Sequence, residues 1–69
     1  MNRRQIIGIK LREARDNRGL TRHALGSILG VSFEAVKHWE GGRNMPSKPR
    51  RQAVLDALKI KSKTFFKGV

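Results

Sequence analysis

The apolar residues of this chain recur at intervals of three and four almost throughout, and strict alternation over the length of a strand is absent. That period is helical, because side chains three and four apart share one face of an α-helix. The spacing predicts five short helices and an all-α fold. The first runs from about Gln5 to Arg18, with Ile7, Leu11 and Ala14 forming a stripe that leads into basic flanks at Arg18. Gly19 stops it, since the position after a helix end favours a positive φ, and Leu20 turns back into the core. Thr21 caps a second helix, Arg22 to Leu29, with Leu25, Ile28 and Leu29 as its apolar face. Gly30 ends that helix and Val31 is a buried turn residue. Ser32 caps a third helix, Phe33 to Glu40, with Val36 and Trp39 on one face.

The stretch from Gly41 to Ser47 is a loop by composition. Ser47 or Lys48 caps a fourth helix carrying Ala53, Val54, Ala57 and Leu58. Pro49 suits its first turn, where the missing N–H costs nothing. A last helical turn, about Lys63 to Lys67, follows Ser62 and presents Phe65 and Phe66. There are no repeats, and residues 1–69 read as a single domain. A chain this short buries only roughly 60% of its unfolded surface, so its core is thin.

Charge changes the picture. Sixteen Lys and Arg stand against five Asp and Glu, a formal net charge of +11. Such a balance points to a polyanionic partner: nucleic acid, acidic lipid or an acidic protein. Apolar residues make up 38% of the chain and are regularly spaced, so it is not simply disordered. No cysteine is present, which excludes disulfides and Cys-based metal sites. No apolar run is long enough for a signal peptide or a membrane span, and a soluble, cytoplasmic protein is expected. The few carboxylates and the two histidines, His23 and His38, are scattered, with no pair set around a reaction centre and no third metal ligand. No enzyme activity, cofactor, metal or small-molecule ligand is expected.

The segment Thr21 to Glu40 carries the functional signal: cap, short helix, Gly30-Val31, cap, short helix. A glycine-containing turn of this length makes two helices cross steeply, which is the helix-turn-helix unit whose second helix enters the major groove of DNA. Further residues narrow the match. Arg15, Gly19-Leu20-Thr21, Ala24-Leu25-Gly26, Leu29-Gly30-Val31-Ser32, Ala35-Val36, His38-Trp39-Glu40-Gly41-Gly42-Arg43 and Met45-Pro46 stand in the order and spacing of the lambda repressor/Cro-like helix-turn-helix family. The chain resembles that family over about Lys10 to Leu58, and in size a phage Cro-type repressor or the DNA-binding domain of a phage repressor. The resemblance implies a compact five-helix domain.

It also implies roles. The base-reading positions of the recognition helix are Phe33, Glu34, Lys37 and His38, which lie opposite the Val36/Trp39 face by helical spacing as well. Lys37 can donate to guanine, Glu34 can accept from a cytosine amino group, and Phe33 can pack on a thymine methyl; His38 is assigned no base. Phosphate contacts are expected from Arg22, where the family often has Gln, and from Ser32, Arg43 and Asn44, extended by Lys48 and Arg50. Arg15 and Glu40 correspond to a largely buried family salt bridge and are structural first. Gly26 replaces a usual Ala and permits close packing of the second helix on the third. Arg51 stands where the family often has a core leucine, which suggests a shifted or shortened fourth helix.

Blander readings stand beside these. Glu34 also suits the positive end of its helix, Lys37 is also an ordinary solvated lysine, and Phe33 can be a staple against the neighbouring turn. Arg3, Arg4, Lys59, Lys61, Lys63 and Lys67 match nothing in particular and read as solvated side chains; an N-terminal arm reaching phosphate or minor groove is the sharper idea for Arg3 and Arg4. The leading function is a sequence-specific regulator, a Cro-like repressor binding a pseudo-palindromic double-stranded DNA operator as a homodimer. Half-sites would lie about 34 Å apart. Phe65, Phe66 and Val69, alongside the loop after the fourth helix, are the expected dimer contacts, one of the two phenylalanines also closing the monomer core. The alternative is an antitoxin-type protein-interaction module of the same fold with secondary DNA binding. It is disfavoured because almost nothing lies outside the five helices. Non-specific RNA or membrane binding is a third option, disfavoured because Trp39 sits on the core face and no stacking platform remains.

Overall fold

A computed structural model describes all 69 residues, Met1–Val69. It holds four α-helices and no strand: α1 (Arg3–Asn17), α2 (Arg22–Leu29), α3 (Phe33–Glu40) and α4 (Lys48–Ala57). The all-α expectation stands, and the fifth helix does not form. Thr64 to Val69 instead makes two isolated turn bonds, Lys67 N–H to the Thr64 carbonyl and Val69 N–H to the Phe66 carbonyl. A helix nucleus fixes several residues for its first bond, and a segment this short has no further bonds to repay that cost.

Three caps fix the helix starts. Asn2 accepts from the Gln5 N–H while the Gln5 side chain accepts from the Asn2 N–H, a reciprocal capping box. That box starts α1 at Arg3, two residues before the start that apolar spacing suggests. Arg3 and Arg4 therefore lie inside α1 and form no free arm; the Arg3 Nε donates to the Lys67 carbonyl and ties the first helix to the last turn. Thr21 caps α2 through the Ala24 N–H, and Ser32 caps α3 through the Ala35 N–H. Ser47 precedes α4 but makes no side-chain cap; the proline in the first turn lowers the need for one.

The core is one cluster: Ile7 and Leu11 from α1, Leu25 from α2, Val36 and Trp39 from α3, Val54 and Leu55 from α4, then Leu58 and Phe66. α3 packs against both α1 and α2, and α4 packs against α2. Leu55 joins this core beside the Val54 and Leu58 that the spacing selects, while Ala53 is exposed. Ile28 departs from expectation. It stays 59% exposed, because α2 turns Leu25 inward and leaves Ile28 at its outer edge.

Two glycines set the helix spacing. A Cβ on Gly8 would stand 2.6 Å from the Trp39 carbonyl oxygen and closer still to that of Glu40, so α1 meets the end of α3 backbone to backbone. A Cβ on Gly26 would stand 2.6 Å from the Val31 carbonyl oxygen. The Gly26 carbonyl in turn accepts from the Val31 N–H at 2.8 Å, and Gly30 holds φ at +70°. Together they fold the α2–α3 turn back on α2, so what Gly26 packs closely against is the turn leading into α3.

Arg51 does not shorten α4, which runs its full ten residues. Its Nε donates to the Pro46 carbonyl at 2.9 Å, its Nη1 donates to the Val69 carbonyl at 2.7 Å, and its guanidinium lies 5.2 Å from the Phe66 ring centroid. An arginine thus does a core residue's job here by joining the loop before α4 to the chain's last residues.

Candidate nucleic-acid interface

Two short capped helices meet through Gly30-Val31-Ser32, and each has one buried and one exposed face. Val36 and Trp39 are buried, while Glu34 and Lys37 are exposed and His38 is half-buried. The structure therefore leaves Glu34 and Lys37 open on the face away from the core and His38 partly covered. Glu34 lies in the first turn of α3, so its exposed carboxylate also opposes the positive end of the helix.

Phe33 is the fourth. It is 39% exposed, and its ring stacks on the His23 imidazole of α2 with centroids 4.3 Å apart and planes inclined by 27°. The support for Phe33 comes from α2, across the turn. Sequence spacing marks His23 only as a histidine without metal partners; the stack is a tertiary event.

Beneath the helix pair lies a charge network. Glu40 is buried, its side chain 4% exposed. Its Oε2 accepts from Arg15 Nε at 2.5 Å and its Oε1 accepts from Arg15 Nη2 at 3.1 Å, a two-pronged pair. Arg15 Nη1 donates to the Leu20 carbonyl at 2.7 Å and lies 3.3 Å from Asp16. The hydrogen bond to Glu40 raises the Arg15 pKa, burial opposes that shift, and the charges of Glu40 and Asp16 add to it. A raised cationic pKa keeps its stabilisation fully below the ordinary arginine range and loses it only as pH climbs through the higher folded value. Arg15 thus stays charged across the whole neutral range.

Arg22 completes the network. Its Nε donates to Glu40 Oε1 at 3.0 Å, with the side chain 36% exposed. Glu40 thus balances Arg15 and also fixes the direction of Arg22, whose Nη groups have no hydrogen-bond partner within the protein. The residue expected to meet phosphate is held at the first position of α2, beside its unpaired N–H groups.

The remaining expected phosphate residues are placed as follows. Ser32 is exposed and its Oγ is engaged in capping α3. Arg43 and Asn44 are exposed in the loop after α3, and both backbone N–H groups donate to the His38 carbonyl. Lys48 is exposed at the first turn of α4. Arg50 is half-buried and its Nη1 donates to the Leu29 carbonyl at 2.6 Å, so it closes the C-terminal end of α2 from α4. No cluster of residues suited to holding a metal ion occurs.

The expected dimer contacts divide. Phe66 is 7% exposed and belongs to the core cluster, so it is corrected from an interface residue to the one that closes the monomer. Phe65, edge-on to it at 5.0 Å, and Val69 are both half-buried. No helix is long and apolar enough to cross a membrane.

Capped α2, glycine turn and α3 with an outward polar face define a helix-turn-helix domain. A family model for the helix-turn-helix domain matches residues 6–62, and the chain belongs to that family. An uncharacterized HTH-type transcriptional regulator of Sinorhizobium fredii, y4aM, is 33% identical over 63 residues, covering 91% of this chain and 44% of that protein. A second from the same organism, y4wC, is 32% identical over 60 residues, 87% of this chain and 42% of that protein. An uncharacterized HTH-type transcriptional regulator of Rhizobium meliloti is 28% identical, again over 87% of this chain. The chain spans less than half the length of these curated relatives.

Proposed function

We propose that this chain is a sequence-specific double-stranded DNA-binding module of a transcriptional regulator, acting in the bacterial cytoplasm or nucleoid and carrying no enzyme activity. The observation that carries the reading is the outward face of α3. Glu34, Lys37 and Phe33 stand exposed on the helix that the α2–α3 turn sets against the rest of the fold, while Val36 and Trp39 anchor its other side. Exposed donors, an acceptor and an apolar ring are the side chains that can tell base edges apart in a major groove. Arg22, Arg43 and Lys48 flank this helix in the chain and supply the phosphate contacts that set its register.

The motif around the turn and recognition helix supports a lambda repressor/Cro-like mode: a dimer, a pseudo-palindromic operator and repression by occupancy. Phe65 and Val69 are the surface that would join two copies, since each keeps part of its side chain exposed near the chain's end. Selection of binding sites from random duplexes tests the reading, followed by salt titration of the winner. A palindromic consensus with half-sites one helical turn apart is expected, with affinity falling steeply as salt rises. Equal affinity for all sequences overturns it. Retention of a partner protein by a chain that binds no duplex selectively favours the antitoxin-type alternative.

A further inference from the structure

We propose that His23 and Phe33 act together as a composite aromatic surface that receives the C5-methyl group of a pyrimidine, with His23 as a positioning residue for base choice. The inference rests on the reading that α3 enters a major groove. A free phenylalanine at the first position of a helix has rotamers to lose on binding, and its exposed ring is poorly solvated. The His23 stack at 4.3 Å removes both difficulties before DNA arrives. It covers one part of the ring and restricts its rotation, while 39% of the residue stays open.

The placement makes the pair discriminating. His23 is the second residue of α2, directly after Arg22, which Glu40 holds in place. Phe33 is the first residue of α3, directly before the exposed Glu34. The aromatic surface therefore spans the two helix starts, between a phosphate anchor and an acceptor for base amino groups. No donor or acceptor on Phe33 can read a hydrogen-bonding pattern, so what the ring can select is apolar bulk. In the major groove that bulk is the C5-methyl, carried by thymine and by 5-methylcytosine. Thymine is the source that every unmodified duplex supplies.

The experiment uses the duplex selected by the unaltered protein. Each thymine of a half-site is replaced in turn by uracil, which deletes only the methyl, and each cytosine in turn by 5-methylcytosine. One thymine-to-uracil change is expected to lower affinity about fourfold, the worth of one buried methyl. In His23→Ala that penalty shrinks below about twofold while the salt slope holds, and in His23→Phe, which restores a ring, it returns. A gain of similar size on methylating one cytosine, lost in His23→Ala, assigns the surface to 5-methylcytosine instead of thymine. A full uracil penalty in a folded His23→Ala protein overturns the role of His23, and no methyl effect at any position overturns the surface. Failure of the unaltered protein to select any duplex is a different result, because it removes the DNA-reading function itself.

Discussion

Arg15 of α1 and Glu40 of α3 form a buried, two-pronged ion pair with contacts of 2.5 and 3.1 Å, and the same carboxylate also accepts from the half-exposed Arg22. One acid therefore joins a structural arginine to a prospective phosphate-binding one. Glu40→Ala strands Arg15 inside the fold, and a loss of about 3–5 kcal/mol is expected by urea denaturation. Arg15→Leu combined with Glu40→Leu is expected to cost less than the sum of the single changes, because neither charge is left alone. Additive losses would show that the pair is not coupled.

Gly8 offers a test of packing in which ordinary helix propensity has the wrong sign. Replacing a helical glycine by alanine normally stabilises by about 0.5–1 kcal/mol. At Gly8 the new methyl would meet the Trp39 and Glu40 carbonyl oxygens, which are backbone and cannot swing away. Gly8→Ala is expected to lower stability by about 1–3 kcal/mol as α1 and α3 are forced apart. A melting temperature equal to or above that of the parent would refute the close approach.

On DNA, Lys37 and Arg43 should behave differently, although both are exposed cations within seven positions of each other. Lys37→Ala is expected to change base preference at one position of each half-site, at a cost of about 1–3 kcal/mol there. Arg43→Ala is expected to weaken every sequence alike and to flatten the salt slope by about one unit. Binding-site selection and salt titration on both variants check this pair, and an interchange of the two outcomes would reverse the assigned roles.

The burial of Phe66 decides which variant can probe self-association. Phe66→Asp places a charge in the core and is expected to unfold the chain, whatever the oligomeric state. Phe65→Asp removes a half-buried ring packed edge-on against Phe66 but none of the buried core residues, and is expected to give a somewhat less stable but folded monomer by sedimentation, with weaker binding to a two-half-site duplex. A folded Phe65→Asp protein that still dimerises would move the interface elsewhere.

Much of this protein is legible in its sequence because its signals are local. Thr21 and Ser32 cap α2 and α3 as hydroxyl residues before helical runs do, and Gly30 takes the positive φ that only its lack of a Cβ makes easy. The apolar spacing selects Ile7, Leu11, Leu25, Val36, Trp39, Val54 and Leu58 for the core, and all are buried. The same spacing also points to Ile28, which is exposed, because periodicity identifies a face and not which part of it a neighbour covers.

The basic excess and the helix-turn-helix motif lie in composition and in residues near one another along the chain, so the sequence alone was sufficient to determine them. The tertiary structure decided what long side chains do once distant segments meet. It bent Arg50 to the end of α2, set Arg51 between Pro46 and Val69, gave Arg3 to the last turn, and laid His23 against Phe33. An arginine or histidine reads as surface charge in any sequence window. Whether it faces solvent or satisfies a carbonyl or a ring across the fold depends on packing, which no local pattern contains.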